Sequence, residues 1–175
     1  YSIGKIGNEI QLSVKLHPGG LGSNYLYNLA VGKSIKASVV ANDSFHFPMQ
    51  SSKVILVSNG TGIAPFLGMI AQNQDTECHL YCGFRNADSF APYQSFIEQQ
   101  LALGKLQKLH LAYSREEEKQ YVKQLLARDS QWVASVLQEG GTIMICGSLA
   151  MQNEVLELLG SIVETFDQTV GHFQA

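Results

Sequence analysis

The chain lacks long basic runs and long apolar runs, and each absence excludes a class of function. Its net charge is −3 and no basic run occurs among its 175 residues, so a nucleic-acid partner, which needs a positive surface, is not expected. No apolar run approaches the roughly 18 residues of a membrane-spanning helix, so no membrane segment is predicted. No signal-peptide pattern is present. Hydrophobic residues make up 45% of the chain, enough for a folded core.

Cysteine is also scarce, and its positions form no disulfide framework. The odd number of cysteines, Cys78, Cys82 and Cys146, favours free thiols in a reducing compartment. We therefore expect a cytoplasmic location, or the cytoplasmic face of a membrane if spans lie upstream. Cys78 and Cys82 share one face of a predicted strand, but no further ligands with zinc-site spacing lie nearby. No metal site is predicted, and both are interpreted as small core residues.

The most informative stretch present runs from Val54 to Gly68. Its first four residues are an apolar, mostly β-branched run, which predicts a strand buried on both faces. Asn59-Gly60-Thr61-Gly62 interrupts the run, and Pro65 then opens a predicted helix. A strand, a glycine turn and a helix N-terminus together direct backbone N–H groups at a phosphate, and the two glycines permit positive φ and close ligand approach. The alternative is a turn that needs only small residues.

Residues 1–50 are predicted to be β-rich with one short helix. The segment Glu9–Leu16 alternates polar and apolar residues, which predicts a half-buried strand whose inward side chains are Ile10, Leu12, Val14 and Leu16. Ser23 is expected to cap the short helix. A second strand is predicted over residues 34–40.

From Lys53 the pattern changes to alternating strands and helices. Strands are predicted at 54–58, 78–83, 107–113 and 142–146, and helices at 63–73, 92–103, 118–127, 130–139 and 149–160. Such alternation predicts an α/β fold, a parallel sheet covered by helices through right-handed crossovers. Ligands of these sheets bind at the carboxyl ends of the strands. The segments expected to meet there are Asn59-Gly60-Thr61-Gly62, Gly83-Phe84-Arg85, Ser114-Arg115 and Cys146-Gly147-Ser148.

Ser114 and Arg115 follow the third of these strands, with Lys119 and Tyr121 a few residues on. An Arg fork, an ammonium group, a hydroxyl and a phenol suit a phosphate monoester, and the 2′-phosphate of NADP is the natural candidate. A site for NAD would more often carry an acidic residue for the ribose. The alternative is a solvated charged face, since residues 116–118 are all Glu.

Other polar residues near the strands have competing interpretations. Cys146 would place a thiol at the mouth of the site, or it is a buried structural cysteine. Arg85 would reach phosphates or the nicotinamide ribose, or it forms a surface salt bridge. His79 and His110 lie within strands and are expected to be satisfied by packing.

Six motifs now stand in order: Tyr1-Ser2-Ile3, Gly20-Leu-Gly-Ser-Asn-Tyr25, Asn59-Gly-Thr-Gly-Ile-Ala-Pro-Phe66, Gly83-Phe-Arg85, Ser114-Arg115 with Lys119-Gln-Tyr-Val122, and Cys146-Gly147. Together they resemble the ferredoxin–NADP reductase superfamily over nearly the whole chain. The resemblance is closest to the C-terminal FAD/NADPH module of diflavin reductases of the sulfite reductase flavoprotein and cytochrome P450 reductase type. It implies a Rossmann-like NADP-binding domain at 51–175, preceded at 1–50 by part of an antiparallel FAD-binding β-barrel.

The resemblance also implies residue roles on the flavin side of the site. Tyr1 is similar to the tyrosine that stacks on the flavin ring, and Ser2 to the serine that hydrogen-bonds near flavin N5. The segment that holds the FAD pyrophosphate is matched by Gly20, Leu21, Gly22 and Ser23.

On the nucleotide side, the resemblance assigns Gly60, Thr61 and Gly62 to the NADP-facing loop. Cys146 is similar to the cysteine near the reacting nicotinamide carbon. The 2′-phosphate site is matched by Ser114, Arg115, Lys119 and Tyr121.

Three departures accompany the resemblance. The arginine that precedes the Tyr-Ser pair in the family would fall before Tyr1, as would most of the barrel. Ser148 stands where the diflavin pattern has Asp, which leaves the role of that acid unassigned. The family continues past the position of Ala175 with an Asp and a terminal aromatic residue. We therefore expect a fragment of a longer reductase.

The expected activity of the parent protein is hydride transfer from NADPH to FAD, with electrons passed to a flavodoxin-like, haem or iron–sulfur acceptor. FMN is expected only if a flavodoxin-like domain lies upstream. One alternative is a single-flavin reductase of the same superfamily that uses NADH. Another is a nucleotide-binding fragment with no activity of its own.

Overall fold

The computed structural model of the chain describes residues 1–165. The elements of this part are, in order, β1 (Ile3–Ile6), β2 (Glu9–Leu12), α1 (Leu21–Tyr27), β3 (Lys53–Asn59), α2 (Ala64–Gln72), β4 (Glu77–Phe84), α3 (Ala87–Ala102), β5 (Lys108–Tyr113), α4 (Val122–Arg128), α5 (Ser130–Gln138), β6 (Thr142–Cys146) and α6 (Leu149–Thr165). A short 3₁₀ turn, Gly60–Ile63, joins β3 to α2.

The main sheet has four parallel strands in the order β5-β4-β3-β6. Its central strand β3 is buried on both faces, as its apolar sequence predicts. Val54 and Leu56 face the core formed with α2 and α3, whereas Ile55 and Val57 face the core formed with α4, α5 and α6. All four side chains are fully buried, and burial of each contributes about 1.5–3 kcal/mol. The predicted α/β fold with a parallel sheet is confirmed.

Strands β1 and β2 form a separate antiparallel hairpin, with Ile3 opposite Leu12. The hairpin packs against α2 through two glycines. A Cβ atom on Gly4 would collide with the carbonyl oxygen of Ala64, and one on Gly68 would lie 2.6 Å from the backbone nitrogen of Lys5. Backbone therefore touches backbone where β1 crosses α2.

The strand predicted over residues 9–16 is wrong in length and in facing. It ends at Leu12, and Ile10 and Leu12 are 55% and 42% exposed rather than inward. Leu16 is also exposed. Among residues 1–165 no third strand pairs with β2, and all four residues of β2 are exposed. The strand predicted over residues 34–40 is absent for a similar reason, because that segment finds no pairing partner among the described residues.

Three helix predictions also differ from the structure. Ser23 is not the cap of α1, which begins at Leu21; the Ser23 hydroxyl instead donates to the Gly20 carbonyl at 3.3 Å. Helix α3 begins at residue 87 rather than 92, because the Asn86 side chain caps it by accepting from the Ser89 backbone N–H at 3.1 Å. Helix α4 begins only at residue 122.

The helices of residues 1–165 include none with both the length and the hydropathy that a bilayer crossing demands.

Candidate functional site

A cleft of about 660 Å³ lies at the carboxyl edge of the main sheet. Each of the four parallel strands contributes to its wall, as the topology predicts. The contributing segments are residues 59–62 at the end of β3, 83–85 at the end of β4, Ser114 directly after β5 and 146–148 at the end of β6. Tyr1 and Ser2 line the same cleft from the N-terminal hairpin.

Small residues shape the floor of this cleft. Gly60 has a φ of 53°, which favours glycine. Gly62 has no room for a side chain, because a Cβ atom there would collide with the carbonyl group of Cys146. A Cβ atom on Gly83 would lie 2.8 Å from Val122. The backbone of the 3₁₀ turn, Gly60 to Gly62, therefore lines the cleft with little side chain in the way, an arrangement that suits a phosphate.

Cys146 and Ser2 meet where the hairpin joins the sheet. Burial raises the pKa of the Cys146 thiol, and a hydrogen bond with Ser2 opposes that rise. The net direction is upward, so the thiol stays neutral near pH 7. A neutral thiol is a poor nucleophile, and this cysteine can contribute shape and a weak hydrogen bond.

Three cations line the cleft: Lys15 on the side of the N-terminal hairpin, and Arg85 and Lys123 on the side of the main sheet. Ser114 and Tyr121 line it beside them, whereas the side chains of Arg115 and Lys119 do not. Arg115 is nevertheless held next to Arg85, because its backbone N–H donates to the Arg85 carbonyl at 2.8 Å. Of the four residues predicted for a 2′-phosphate, the structure therefore brings two into the cleft.

The predicted pyrophosphate segment lies outside the cleft wall. Leu21 is 92% exposed and Ser23 is buried. Gly22 approaches the site most closely, since a Cβ atom on it would lie 3.3 Å from the Tyr1 hydroxyl. The segment is thus a neighbour of Tyr1 and does not share the nucleotide-side wall.

Asn59 and Ser148 lie on the wall, as their positions after strands predict. The wall residues that sequence reasoning missed are Ser13, Lys15, Gln120, Lys123 and Glu154. Ser13 and Lys15 are polar positions of the alternating segment, at the point where it continues past β2. The alternation therefore indicated that these two side chains lie on the same face. Lys123 follows Tyr121 by two residues at the start of α4. Glu154 carried no local signal.

A second polar cluster lies toward the amino ends of β4 and β5. His110 stacks on Tyr81 with ring centroids 3.9 Å apart, and His79 stacks on Trp132 at 4.6 Å. Asp129 accepts a hydrogen bond from the Tyr81 hydroxyl at 3.0 Å and lies 3.1 Å from Nδ1 of His110. Both histidines are buried within strands, as expected, but His79 Nδ1 and His110 Nε2 have no hydrogen-bond partner among the described residues, so packing satisfies them only in part.

Burial lowers the pKa of both histidines in this cluster, that of His110 to about 4. Asp129 raises the pKa of His110 less than burial lowers it. Burial alone would raise the pKa of Asp129, but hydrogen bonds from Arg128 and Tyr81 bring it below its ordinary value. Across residues 1–165, no group of three or more His, Cys, Asp or Glu side chains is placed to hold a metal ion.

The parallel sheet, the glycine turn and the cleft at the carboxyl edge define a Rossmann-like α/β domain with a nucleotide-type site. A family model described as "Oxidoreductase NAD-binding domain" matches residues 56–157. The chain belongs to this family, the NAD-binding domain of the ferredoxin–NADP reductase type.

The chain is similar to part of several longer proteins, which include two NADPH-dependent reductases. The chain is 29% identical to the sulfite reductase [NADPH] flavoprotein alpha-component of Photobacterium profundum, an alignment that covers 91% of this chain and 29% of that protein. It is 33% identical to the NADPH–cytochrome P450 reductase of Rattus norvegicus, over 77% of this chain and 22% of that protein. It is 31% identical to a nitric oxide synthase of Anopheles stephensi, over 92% and 15%. The chain therefore spans less than a third of the length of each relative.

Proposed function

We propose that this chain is the NADPH-binding part of a flavin-dependent oxidoreductase that transfers a hydride from NADPH to FAD. The observation that carries the proposal is the shared cleft, in which Tyr1 and Ser2 face the glycine turn and Cys146. A cleft of this kind brings a flavin-side wall and a nucleotide-side wall together. The similar proteins, which include two NADPH-dependent reductases, support the same activity.

The residues present fit a dinucleotide. A volume of about 660 Å³ lies within the usual range for ligand clefts, about 300–1,000 Å³. The collision that a Cβ atom on Gly62 would cause leaves bare backbone at the floor. Arg85 and Lys123 supply positive charge on the wall. Gly60, Thr61 and Gly62 would hold the phosphates near the start of α2.

The nucleotide 2′-phosphate is assigned to the far end of the cleft, after β5. Ser114 and Tyr121 would donate hydroxyl hydrogen bonds to it, and Lys123 would pair with its charge. Arg115 and Lys119 remain candidates that would need to swing toward the ligand. The geometry favours Lys123 over Lys119, because Lys123 already lines the cleft.

On the flavin side, Tyr1 would cover the ring system and Ser2 would face its reacting nitrogen. Gly20, Leu21, Gly22 and Ser23 are proposed for the pyrophosphate, with Ser13 and Lys15 as further wall residues. When bound, FAD supplies the hydride acceptor. Ser2 and Cys146 are the residues proposed to touch the reacting atoms and to hold the nicotinamide in line with them.

The rest of the proposal concerns the whole protein. Residues 1–50 are proposed to be part of the FAD-binding barrel and residues 51–175 the NADP-binding domain. Electrons would pass to a flavodoxin-like, haem or iron–sulfur acceptor in the cytoplasm or at the cytoplasmic face of a membrane, with FMN involved if a flavodoxin-like domain is present. A nucleotide-binding unit without activity of its own is the second candidate, favoured by the exposure of all four residues of β2.

Calorimetric titration of the chain with NADP⁺, NAD⁺ and FAD tests the proposal. We expect NADP⁺ to bind more tightly than NAD⁺ by about 10- to 100-fold, the effect of one charge-assisted phosphate contact. Equal affinities would overturn the preference for NADP. No binding of either nucleotide would overturn the proposed function. Tight FAD binding to this chain would exclude the second candidate.

A further inference from the structure

Asn59, the last residue of β3, links its side chain to the loop that follows β6. Its Oδ1 accepts a hydrogen bond from the Ser148 backbone N–H at 2.8 Å, and its Nδ2 donates to the Ser148 Oγ at 3.0 Å. The two residues lie 89 positions apart in the sequence. Two bonds between one carboxamide and one residue fix the orientation of both.

This link begins where the regular sheet ends. The pairing of β3 with β6 stops at Ser58 opposite Cys146, so residues 147 and 148 have no ladder bond to β3. The Asn59 backbone pairs instead with Gly83 on the other side of β3. The Asn59 side chain therefore extends the attachment of β6 by two residues into the cleft.

The linked loop is also confined from its other sides. A Cβ atom on Gly147 would collide with the Asn59 side chain and would lie 2.6 Å from Met151. The Gln152 side chain donates to the Gly147 carbonyl at 2.9 Å. Ser148 caps α6, with its Oγ accepting from the Met151 backbone N–H at 3.4 Å. A shift of Ser148 would therefore displace Cys146, two residues earlier, and the start of α6.

We propose that Asn59 is a positioning residue for the hydride-transfer end of the cleft, acting through Ser148 and Gly147 on the placement of Cys146. This inference rests on the proposed function. Asn59 need not touch the reacting atoms. The proposed role of Asn59 is to hold the loop against the glycine turn, so that the part of the cleft wall that contacts the nicotinamide keeps a fixed shape. Misplacement by about 1 Å is enough to slow such a reaction up to roughly a hundredfold.

The test compares Asn59→Ala with Asn59→Asp and with a matched control, Asn42→Ala. Asn42 also accepts hydrogen bonds from the backbone N–H and hydroxyl of one serine, Ser44, but it lies outside the cleft. Asp at position 59 can still accept from the Ser148 N–H, and the Ser148 hydroxyl can donate to it. Asn59→Asp should therefore restore what Asn59→Ala loses.

Three quantities are measured. Exchange of the Ser148 amide hydrogen, followed by NMR on the chain, should accelerate at least about tenfold in Asn59→Ala. Calorimetry with 2′,5′-ADP, which has no nicotinamide, should give the wild-type affinity. The rate of flavin reduction at saturating NADPH, measured on the flavin-loaded full-length protein, should fall about 10- to 100-fold. Asn59→Asp should recover both the protection and most of the rate, and Asn42→Ala should change neither.

The outcomes separate this inference from the proposed function. If the wild-type chain binds neither NADP⁺ nor 2′,5′-ADP, the proposed function fails. If it binds both and Asn59→Ala exchanges faster yet reduces flavin at the wild-type rate, the link is structural and the positioning role is overturned. Should Asn59→Ala not fold, Ser148→Ala removes the Nδ2–Oγ bond of the link together with the cap bond from Met151, and a smaller loss of rate is then expected. A wild-type rate in that variant would equally overturn the role.

Discussion

Lys123 lines the cleft and Lys119, four residues earlier, does not. The difference follows from where α4 begins: Lys123 is its second residue, whereas Lys119 lies in the loop before it. A helix fixes the direction of its side chains more tightly than a loop does. At the residue scale, the position at which α4 begins therefore determines which of the two lysines lines the cleft.

Replacement of Lys123 by Ala should weaken NADP⁺ binding and leave NAD⁺ binding nearly unchanged. Loss of a charge-assisted contact to the 2′-phosphate costs about 1.5–3 kcal/mol, or roughly 10- to 100-fold in affinity. Lys119→Ala should have a smaller effect. The control is Lys108→Ala, which removes the same charge at the opposite end of β5. Equal weakening of NADP⁺ and NAD⁺, read by calorimetry, would contradict the assignment.

Replacement of Cys146 by Ala should slow flavin reduction and preserve NADPH affinity. The side chain is proposed to hold the nicotinamide in line, and loss of alignment costs roughly 10- to 100-fold in rate. Because the thiol stays neutral, the wild-type rate should show no ionisation of this cysteine near pH 7. Stopped-flow reduction of the flavin-loaded protein measures both. A wild-type rate would restore the purely structural interpretation of Cys146.

At the scale of elements, the contact between β1 and α2 depends on Gly4 and Gly68. Helix propensity alone would make Gly68→Ala stabilising by about 1 kcal/mol. The close approach of Lys5 backbone should reverse that sign, since overpacking typically costs about 1–3 kcal/mol.

Urea unfolding of Gly68→Ala is expected to show a net loss of stability. Gly160→Ala is the control: it also lies in a helix, but open space surrounds it, so it should stabilise the chain by about 0.5–1 kcal/mol. If both substitutions stabilise equally, the hairpin does not press on α2 as described.

The elements that could be predicted from the sequence are those of the main sheet, whose side chains find their packing partners within this chain. The run Val54–Val57 is apolar on both faces, and the order of the parallel strands brought their carboxyl ends to one rim. The exposure of both faces of β2 could not be predicted, because alternation predicts one covered face and does not say what covers it. The sequence predicts too early a start for α4, because the loop before this helix is as polar and charged as a first helical turn.

Part of the site was equally predictable. Glycines, Arg85, Ser114 and Tyr121 followed strands or opened helices, where ligand groups are expected. The bonds between Asn59 and Ser148 were not predictable, since they join residues 89 positions apart that share no pattern.

At the scale of the whole molecule, the His79 and His110 cluster couples stability to pH. Glu77, Lys108, Arg128 and Asp129 are the charged groups around it. The folded-state pKa of each histidine lies below its ordinary value. The unfolded chain therefore binds more protons as pH falls, and stability present above about pH 6.5 is lost on acidification.

The loss should extend from about pH 6.5 down to the folded pKa of His110, about 4, with up to roughly 3 kcal/mol from this residue. Urea unfolding at pH 7.5, 6 and 5 measures it. His110→Phe should flatten the dependence, and His17→Gln, at an exposed position, should not. A wild-type free energy of unfolding that is constant over this range would show that protonation of the cluster does not destabilise the fold.

Because β3 lies inside the sheet, its two neighbouring strands are synthesised at different times. Val54 pairs with Cys78 on one side and with Thr142 on the other. One edge of β3 therefore stays unpaired until a strand about 88 residues later in the sequence has been synthesised. At roughly 5–20 residues per second, the ribosome needs about 4–18 s to deliver it. During that interval an apolar strand edge is open to any other chain. A chain that ends before Thr142 should aggregate or bind chaperones far more than the complete chain, as pull-down of stalled nascent chains would reveal.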